Sequence, residues 1–165
     1  MTNSHFFSKT DLDPARTQRL VDDALHGAED GELYLEHAQS EAFVFDDNRL
    51  KTANFDVAQG FGLRAVNGET TGFAHASDLS EPALKRAADA VAAIRTGAYI
   101  SFGDGPTRTN QQLYTDNNPL SAMAFGAKTK LLENINAYAR DKDERVRQVS
   151  CSLTGEWSVV EIRQQ

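Results

Sequence analysis

The sequence predicts an α+β domain with a largely antiparallel, mixed sheet of about six to seven strands and three helices packed on one face. Three observations support this fold class. Short runs that alternate apolar and polar residues cluster in 32–76 and 145–162. Residues typical of turns separate these runs. Three longer segments carry apolar residues at helical spacing, so they can cover the sheet.

Two of the three helical segments have recognisable start signals, and the third is predicted from its apolar spacing. The first begins with Asp13 and Pro14, an N-cap followed by proline at the first helical position, and extends to about residue 26. The second begins near Ser80 and carries an apolar stripe. The third covers about 124–141 and is expected to carry on one side the residues Leu131, Leu132, Ile135, Tyr138 and Ala139.

The strand predictions rest on the two-residue period of a sheet. In chain order the predicted strands are 32–37, 42–45, 51–57, 60–66, 69–76, 145–153 and 157–162. Residues 46–49 are predicted to form a tight turn, because Asp and Asn tolerate the backbone angles that it needs. Asn67 and Gly68 predict a type I′ hairpin, which requires positive φ at both central residues. A further turn is predicted at 154–156.

The composition predicts one soluble domain over residues 1–165, because 40% of the residues are hydrophobic and 25% are charged. The net charge of −7 argues against nucleic acid as a partner, since such binding depends on clustered Lys and Arg. No apolar segment has the length of a bilayer span, so no membrane is expected. The single cysteine, Cys151, excludes an internal disulfide and fits a cytoplasmic protein.

Residues 60–65 match the dinucleotide pattern G-x-G-x-x-G/A, but the pattern requires a helix directly after the glycines. Here a hairpin follows, and no helix begins before about Ser80, so the spacing of Asp78 as a ribose ligand carries little weight. Glycines in a strand more often mark a bulge or a close approach of another backbone. Gly60, Gly62 and Gly72 share one hairpin and predict a surface with few side chains.

Metal binding and nucleophilic catalysis have little support. The histidines are His5, His26, His37 and His75, and no two of them have the spacing of a helical zinc site. His37, His75 and Cys151 could meet on the sheet, although their spacing does not require it. Cys151 alternates with apolar neighbours, which favours a buried structural thiol. Arg64 could pair with an acidic group or a peptide carboxylate, or it could be an ordinary surface residue of a strand.

Several blocks in the right order resemble one known family. They are QGFGLRAVNGETTGFAHAS, GELYLEHAQSEAFVFDDNRLKTANFDVAQG, ALKRAADAVAAI, the Asn118-Pro119-Leu120 turn and DERVRQVSCSLTG. From about residue 10 to the end the chain resembles the N-terminal domain of the TldD/PmbA proteins, and it is more similar to the TldD branch. The strand glycines, the arginine and the run from Gly68 to Ala74 are the most specific part of this resemblance.

The resemblance implies a cytoplasmic zinc metalloprotease that pairs with a PmbA-like (TldE) subunit and cleaves unfolded or modified peptides. It also carries the label "modulator of DNA gyrase", which implies no contact with DNA. In this family zinc activates a water and polarises the scissile carbonyl. Its motif His-Glu-x-x-x-His lies in a C-terminal domain, and the present sequence does not contain that motif. The chain is therefore expected to be an N-terminal domain, inactive alone, with no catalytic residue, metal ligand or cofactor of its own.

This domain is expected to help shape the substrate chamber. It is also expected to contact the C-terminal domain and the partner subunit. Gly60, Gly62, Arg64 and Gly72 are the candidate residues for contact with a peptide backbone, by strand addition, or with a partner. The alternative function is a non-enzymatic interaction module that binds another protein through the edge of its sheet.

Overall fold

The computed structural model describes residues 5–93 and 117–165. These residues form four α-helices, one 3₁₀ helix and four strands. The helices are α1 (His5–Lys9), α2 (Pro14–Leu25), α3 (Glu81–Ala92) and α4 (Phe125–Lys142), and the 3₁₀ helix is Pro119–Ser121. The strands are β1 (Asp30–Asp46), β2 (Arg49–Asn67), β3 (Thr70–Ala76) and β4 (Ser150–Arg163).

The sheet corrects the predicted fold, because its described residues form four antiparallel strands in the order β3-β2-β1-β4 and not six to seven. Predicted neighbours along the sequence are parts of the same long strand, twice in the first half of the chain and once at its end. Polar residues and glycines interrupt the hydrophobic pattern, but extended backbone accommodates them. Gly60 and Gly155 have no positive φ, and the turn predicted at 154–156 is continuous strand.

The helices also correct the prediction, because α1 adds a fourth to the three expected. Its five residues are too few to show a helical period in the sequence. The other three lie where they were predicted. Asp13 caps α2 by accepting a hydrogen bond from the Arg16 amide at 2.8 Å, and Pro14 is the first helical residue. Ser80 caps α3 in the same way, through the Ala83 amide.

The type I′ geometry expected at Asn67-Gly68 occurs instead in the turn between β1 and β2, which was predicted only as a tight turn. Asp47 and Asn48 both have positive φ, at 45° and 64°, which is the requirement of a type I′ turn. In the β2–β3 hairpin the closing pair is Asn67 and Thr70, so the loop contains Gly68 and Glu69. Only Gly68 has positive φ there, at 58°, as in a turn of type II′. The predicted hairpin at Asn67-Gly68 is confirmed, but its turn type is not I′.

The chain divides into two compact units. The first comprises the described residues of Met1–His37, Ala58–Gln111 and Val159–Gln165. Its core joins the apolar faces of α2 and α3 to alternate residues of the strands. The buried residues are Phe6, Leu12, Val21, Ala24, Leu25, Leu33, Leu35, Phe61, Leu63, Ala65, Leu79, Ala83, Leu84, Ala87, Ala88 and Val91. This core fixes which face of β2 remains available for contacts.

The second unit comprises Ala38–Val57 and the described residues of Gln112–Ser158. Its core is small, with Phe43 and Phe45 of β1 packed against Leu132 of α4. Leu153 and the half-buried Cys151 pack against these residues, and the Cys151 thiol lies 3.7 Å from the Leu132 carbonyl. This cysteine was predicted to be buried, whereas the structure leaves it half-buried beside the small core.

Helix α4 buries different residues from those that its apolar pattern suggests. Leu132 is buried, but Leu131, Ile135 and Tyr138 are exposed. The buried neighbours of Leu132 along the helix are Lys128 and Asn136. Each is held by a polar partner from β1 or the turn after it: Lys128 by Glu41 at 2.6 Å, and Asn136 by the Asn48 side chain at 2.6 Å. Buried polar groups are tolerated when they are paired in this way.

Candidate functional site

The structure brings three of the four predicted contact residues together on one face of β2. Phe61, Leu63 and Ala65 point into the core, so the alternating residues Gly60, Gly62 and Arg64 lie on the other face. Gly72 is paired with Ala65 and buried, which places it on the core face. The four residues therefore do not form one surface, although their role in binding a peptide or a partner stays a prediction.

Neither Gly60 nor Gly62 leaves its surface bare. A Cβ atom added at Gly60 would lie 2.7 Å from the carbonyl oxygen of Ala76, so this glycine allows a close approach of backbone. A Cβ atom added at Gly62 would lie 3.0 Å from Cε2 of Phe73. The exposed ring of Phe73 thus covers Gly62 from the neighbouring strand, and a contact at this glycine would include that ring.

Strand addition requires a free edge, and β2 has none at Gly62 and Arg64. Phe61–Asn67 pair with β3 on one side, and β1 is the neighbour on the other. Backbone donors and acceptors of this stretch are consequently used within the sheet. A peptide could contact these residues across the face of the sheet, whereas strand addition would use an outer strand, β3 or β4.

Arg64 pairs with two carboxylates of its own chain. Its Nε donates to Glu32 at 2.8 Å, and its Nη2 donates to Asp30 at 2.8 Å. These hydrogen bonds, first that to Glu32 and then that to Asp30, raise the pKa of the guanidinium. Of the alternatives for Arg64, pairing with an acidic group is the one observed. The sequence did not indicate Asp30 and Glu32 as the partners of Arg64, because they lie on the neighbouring strand β1 and are distant from Arg64 in sequence.

The nucleotide pattern lies inside a strand, as its sequence context predicts. After the glycines the chain continues through β2 and β3, and the next helix, α3, begins at Glu81. Asp78 accepts a hydrogen bond from the hydroxyl of Ser80, the N-cap of that helix, at 2.8 Å. It is thus part of a helix start. The stretch lacks the helix N-terminus that would receive a phosphate.

The histidines do not assemble a metal site within residues 5–93 and 117–165, where no group of three or more His, Cys, Asp or Glu side chains could hold an ion. His5 and His37 lie ring to ring, with 4.8 Å between centroids, and His75 stacks on Phe73. Burial lowers the pKa of His5, and the neighbouring Lys9 and His37 lower it further. His26 is exposed at the end of α2. None of the helices in the described part of the chain has the length and apolarity of a membrane span.

Residues 31–95 match the family described as PmbA/TldA metallopeptidase domain 1. The chain is 34% identical over 132 residues to the Metalloprotease TldD homolog of Haemophilus influenzae, covering 78% of this chain and 27% of that protein. It is 32% identical over 135 residues to the homolog of the same description from Buchnera aphidicola subsp. Acyrthosiphon pisum, covering 79% and 27%. The chain thus spans less than a third of the length of these relatives.

Solved structures share the fold at low sequence identity. A Bacteroides thetaiotaomicron protein described as a modulator of DNA gyrase aligns with a TM-score of 0.67 at 15% identity, covering 98% of this chain and 37% of that one. TldE from Thermococcus kodakarensis aligns with a TM-score of 0.63 at 14% identity, covering 91% and 36%. The arrangement of four strands and their helices therefore recurs as one part of larger proteins.

Proposed function

Because the chain belongs to the PmbA/TldD family of metallopeptidases, we propose that it is the N-terminal domain of a cytoplasmic zinc peptidase that cleaves unfolded or modified peptides. In this proposal the domain shapes the substrate chamber and contacts a partner, and it has no peptidase activity alone. The observation that carries the proposal is the match of residues 31–95 to the first domain of the family. The partial coverage of the longer TldD homologs supports the same division.

The described residues do not fit a zinc site, since no group of them could hold a metal ion. We therefore assign no described residue as a ligand. The contribution of the domain is binding. Its partners in the proposal are the C-terminal domain of the same protein and a TldE-like subunit, as the resemblance to the TldD proteins implies.

Exposed apolar side chains support a role in partner contact. In the second unit, Leu131, Ile135 and Tyr138 follow one another along the exposed face of α4 at a spacing of three to four residues. In the first unit, Val160 and Ile162 of β4 and Phe73 of β3 are exposed as well. Apolar groups gathered on one face commonly mark a surface that another protein covers.

Peptide hydrolysis by the whole protein tests the proposal. We expect the protein encoded by the complete gene, mixed with its TldE-like partner, to cleave a fluorogenic unfolded peptide, and we expect the 165-residue chain to show no cleavage above background. EDTA should abolish the activity and added zinc should restore it. Cleavage by the 165-residue chain alone, or no cleavage by the complete pair, would contradict the proposal.

Gly62→Ala tests the predicted contact face. The new Cβ would project from the outer face of β2 and displace only the far edge of the Phe73 ring, so the fold is expected to tolerate it. In the complete peptidase we expect KM for the peptide to rise about threefold or more with kcat unchanged, as when ground-state binding is weakened.

The matched control is Gly126→Ala, since a Cβ at Gly126 would have no heavy atom within 4 Å apart from those of its chain neighbours and its own helix. Its KM is expected to equal that of the parent. Gly60 is unsuitable for this test, because its Cβ would conflict with the backbone of Ala76. An unchanged KM in a stably folded Gly62→Ala protein would remove Gly62 from the proposed contact.

A further inference from the structure

A cavity of about 420 Å³ opens in the second unit. Its lining includes a buried aromatic ring, Phe43, and three exposed apolar side chains, those of Phe55, Met123 and Phe125. Phe43 and Phe125 are in contact, with 5.5 Å between ring centroids. This volume falls in the range of sites that hold small molecules or single side chains of a peptide, and such sites are mostly apolar with a few fixed polar groups.

One fixed polar group among the residues that line this cavity is the ammonium of Lys128. Its side chain is 7% exposed and its partner, Glu41, is 10% exposed. Nζ donates to Glu41 at 2.6 Å and to the carbonyl oxygen of Leu120 at 2.6 Å. An ammonium has three N–H groups, so two acceptors leave one N–H for a further acceptor. Lys128 also lines the cavity, where a ligand could supply that acceptor.

The charge balance selects the kind of acceptor. Glu41 already offsets the charge of Lys128, so a second carboxylate would be brought beside the first in a poorly hydrated place. A neutral carbonyl accepts the remaining N–H without that repulsion. The apolar part of the ligand is selected by Phe55 and Phe125, which line the cavity, are 58% and 59% exposed and would lose water contact on binding.

We propose that this cavity binds an aromatic or large aliphatic residue of a peptide segment. The side chain of that residue packs against Phe55 and Phe125, and a main-chain carbonyl accepts a hydrogen bond from Lys128. The proposal goes beyond the peptidase function, because it rests on the cavity in this chain and requires no hydrolysis. It also gives the chain a sequence preference that hydrogen bonds to a peptide backbone alone do not supply.

The test is an NMR titration of the isotopically labelled 165-residue chain with N-acetyl-phenylalaninamide. We expect resonances of cavity residues to shift, including that of the Lys128 Nζ. N-acetyl-alaninamide is expected to bind about tenfold more weakly or worse, because it lacks the aromatic surface. N-acetyl-phenylalanine, with its free carboxylate, should also bind more weakly. A blocked tripeptide with a central phenylalanine should bind at least as tightly as the single residue.

Two variants on the same helix locate the site. Phe125→Ala removes an exposed ring of the cavity and is expected to lower the affinity for N-acetyl-phenylalaninamide about fivefold or more. Tyr138→Ala removes a ring that is 64% exposed outside the cavity lining and should leave the affinity unchanged. No shift at cavity residues, equal affinity for the alanine probe, or equal effects of both variants would overturn the site. Tighter binding of the free carboxylate, or exclusion of the tripeptide, would overturn the assigned ligand class.

Discussion

Lys128→Met is expected to lower the free energy of unfolding by about 3–5 kcal/mol, because it leaves the carboxylate of Glu41 buried without its partner. The ion pair is short, at 2.6 Å, and both side chains are at least nine-tenths buried. Methionine has nearly the length of lysine, so packing against Phe43 is largely kept and the change is mainly electrostatic. The same substitution deprives the Leu120 carbonyl of its donor.

Two controls separate this effect from general damage to α4. Lys130→Met on the same helix removes the exposed pair with Glu133, whose side chains are 68% and 45% exposed, and should change stability by less than about 1 kcal/mol. Glu41→Leu combined with Lys128→Met removes both charges and should recover most of the loss. The measurement is urea unfolding followed by fluorescence of Trp157, the only tryptophan, which lies in the second unit. Equal losses for Lys128→Met and Lys130→Met would contradict the buried-pair account.

The pair also shows why the buried face of α4 was not predictable from its sequence. Apolar spacing correctly placed α2, α3 and α4, because the helical period is a local signal, and side-chain caps also mark the starts of α2 and α3. Which side of α4 turns inward depends instead on Glu41 and Asn48, about ninety residues earlier in the chain. A lysine and an asparagine are buried only where partners of this kind form an ion pair or a hydrogen bond with them. Without those partners, the apolar residues of α4 are the expected inner face.

For the candidate site on β2, the sequence predicted the face of the strand but not the side chain that covers it. The alternation of Phe61, Leu63 and Ala65 indicates the face on which Gly62 and Arg64 lie. The sequence did not show that Phe73 covers Gly62. The cross-strand neighbours of Gly62 depend on the register of the β2–β3 hairpin, and a turn longer or shorter by one residue would change that register. The number of strands was overestimated for a related reason. Polar residues in long strands satisfy their backbone through neighbouring strands, which a local pattern cannot reveal.

Gly31→Ala is expected to lower the free energy of unfolding by about 3 kcal/mol, the upper end for overpacking in a core. A Cβ atom at Gly31 would lie 2.5 Å from Cδ2 of Leu25, 2.6 Å from the carbonyl oxygen of Arg64 and 3.2 Å from Cα of Ala65. The first contact involves a side chain, but the other two involve the backbone of β2. Gly31 therefore sets how closely β1 approaches β2 at the first-unit core.

The short distance between β1 and β2 at Gly31 also holds the acidic partners of Arg64 in place. Asp30 and Glu32 flank Gly31, and both bond the Arg64 guanidinium at 2.8 Å. A β1 strand that is pushed outward by a methyl group would lengthen these bonds. We expect the Arg64 Nε–H resonance to exchange faster with water in Gly31→Ala than in the parent. In Gly126→Ala, whose Cβ would meet no heavy atom within 4 Å apart from those of its chain neighbours and its own helix, that exchange should not become faster and stability should not decrease.

A double-mutant cycle with Leu25→Ala separates the two sources of the conflict. Leu25→Ala alone should lower stability by about 2–5 kcal/mol, since this leucine is buried in the core. It also removes the Cδ2 atom that Gly31→Ala would meet. If the backbone of β2 is the main obstacle, Gly31→Ala remains strongly destabilising in the Leu25→Ala background, as measured by urea unfolding followed by circular dichroism. If it becomes nearly neutral there, the conflict lies in the leucine side chain, and the close approach of β1 to β2 does not require glycine at residue 31.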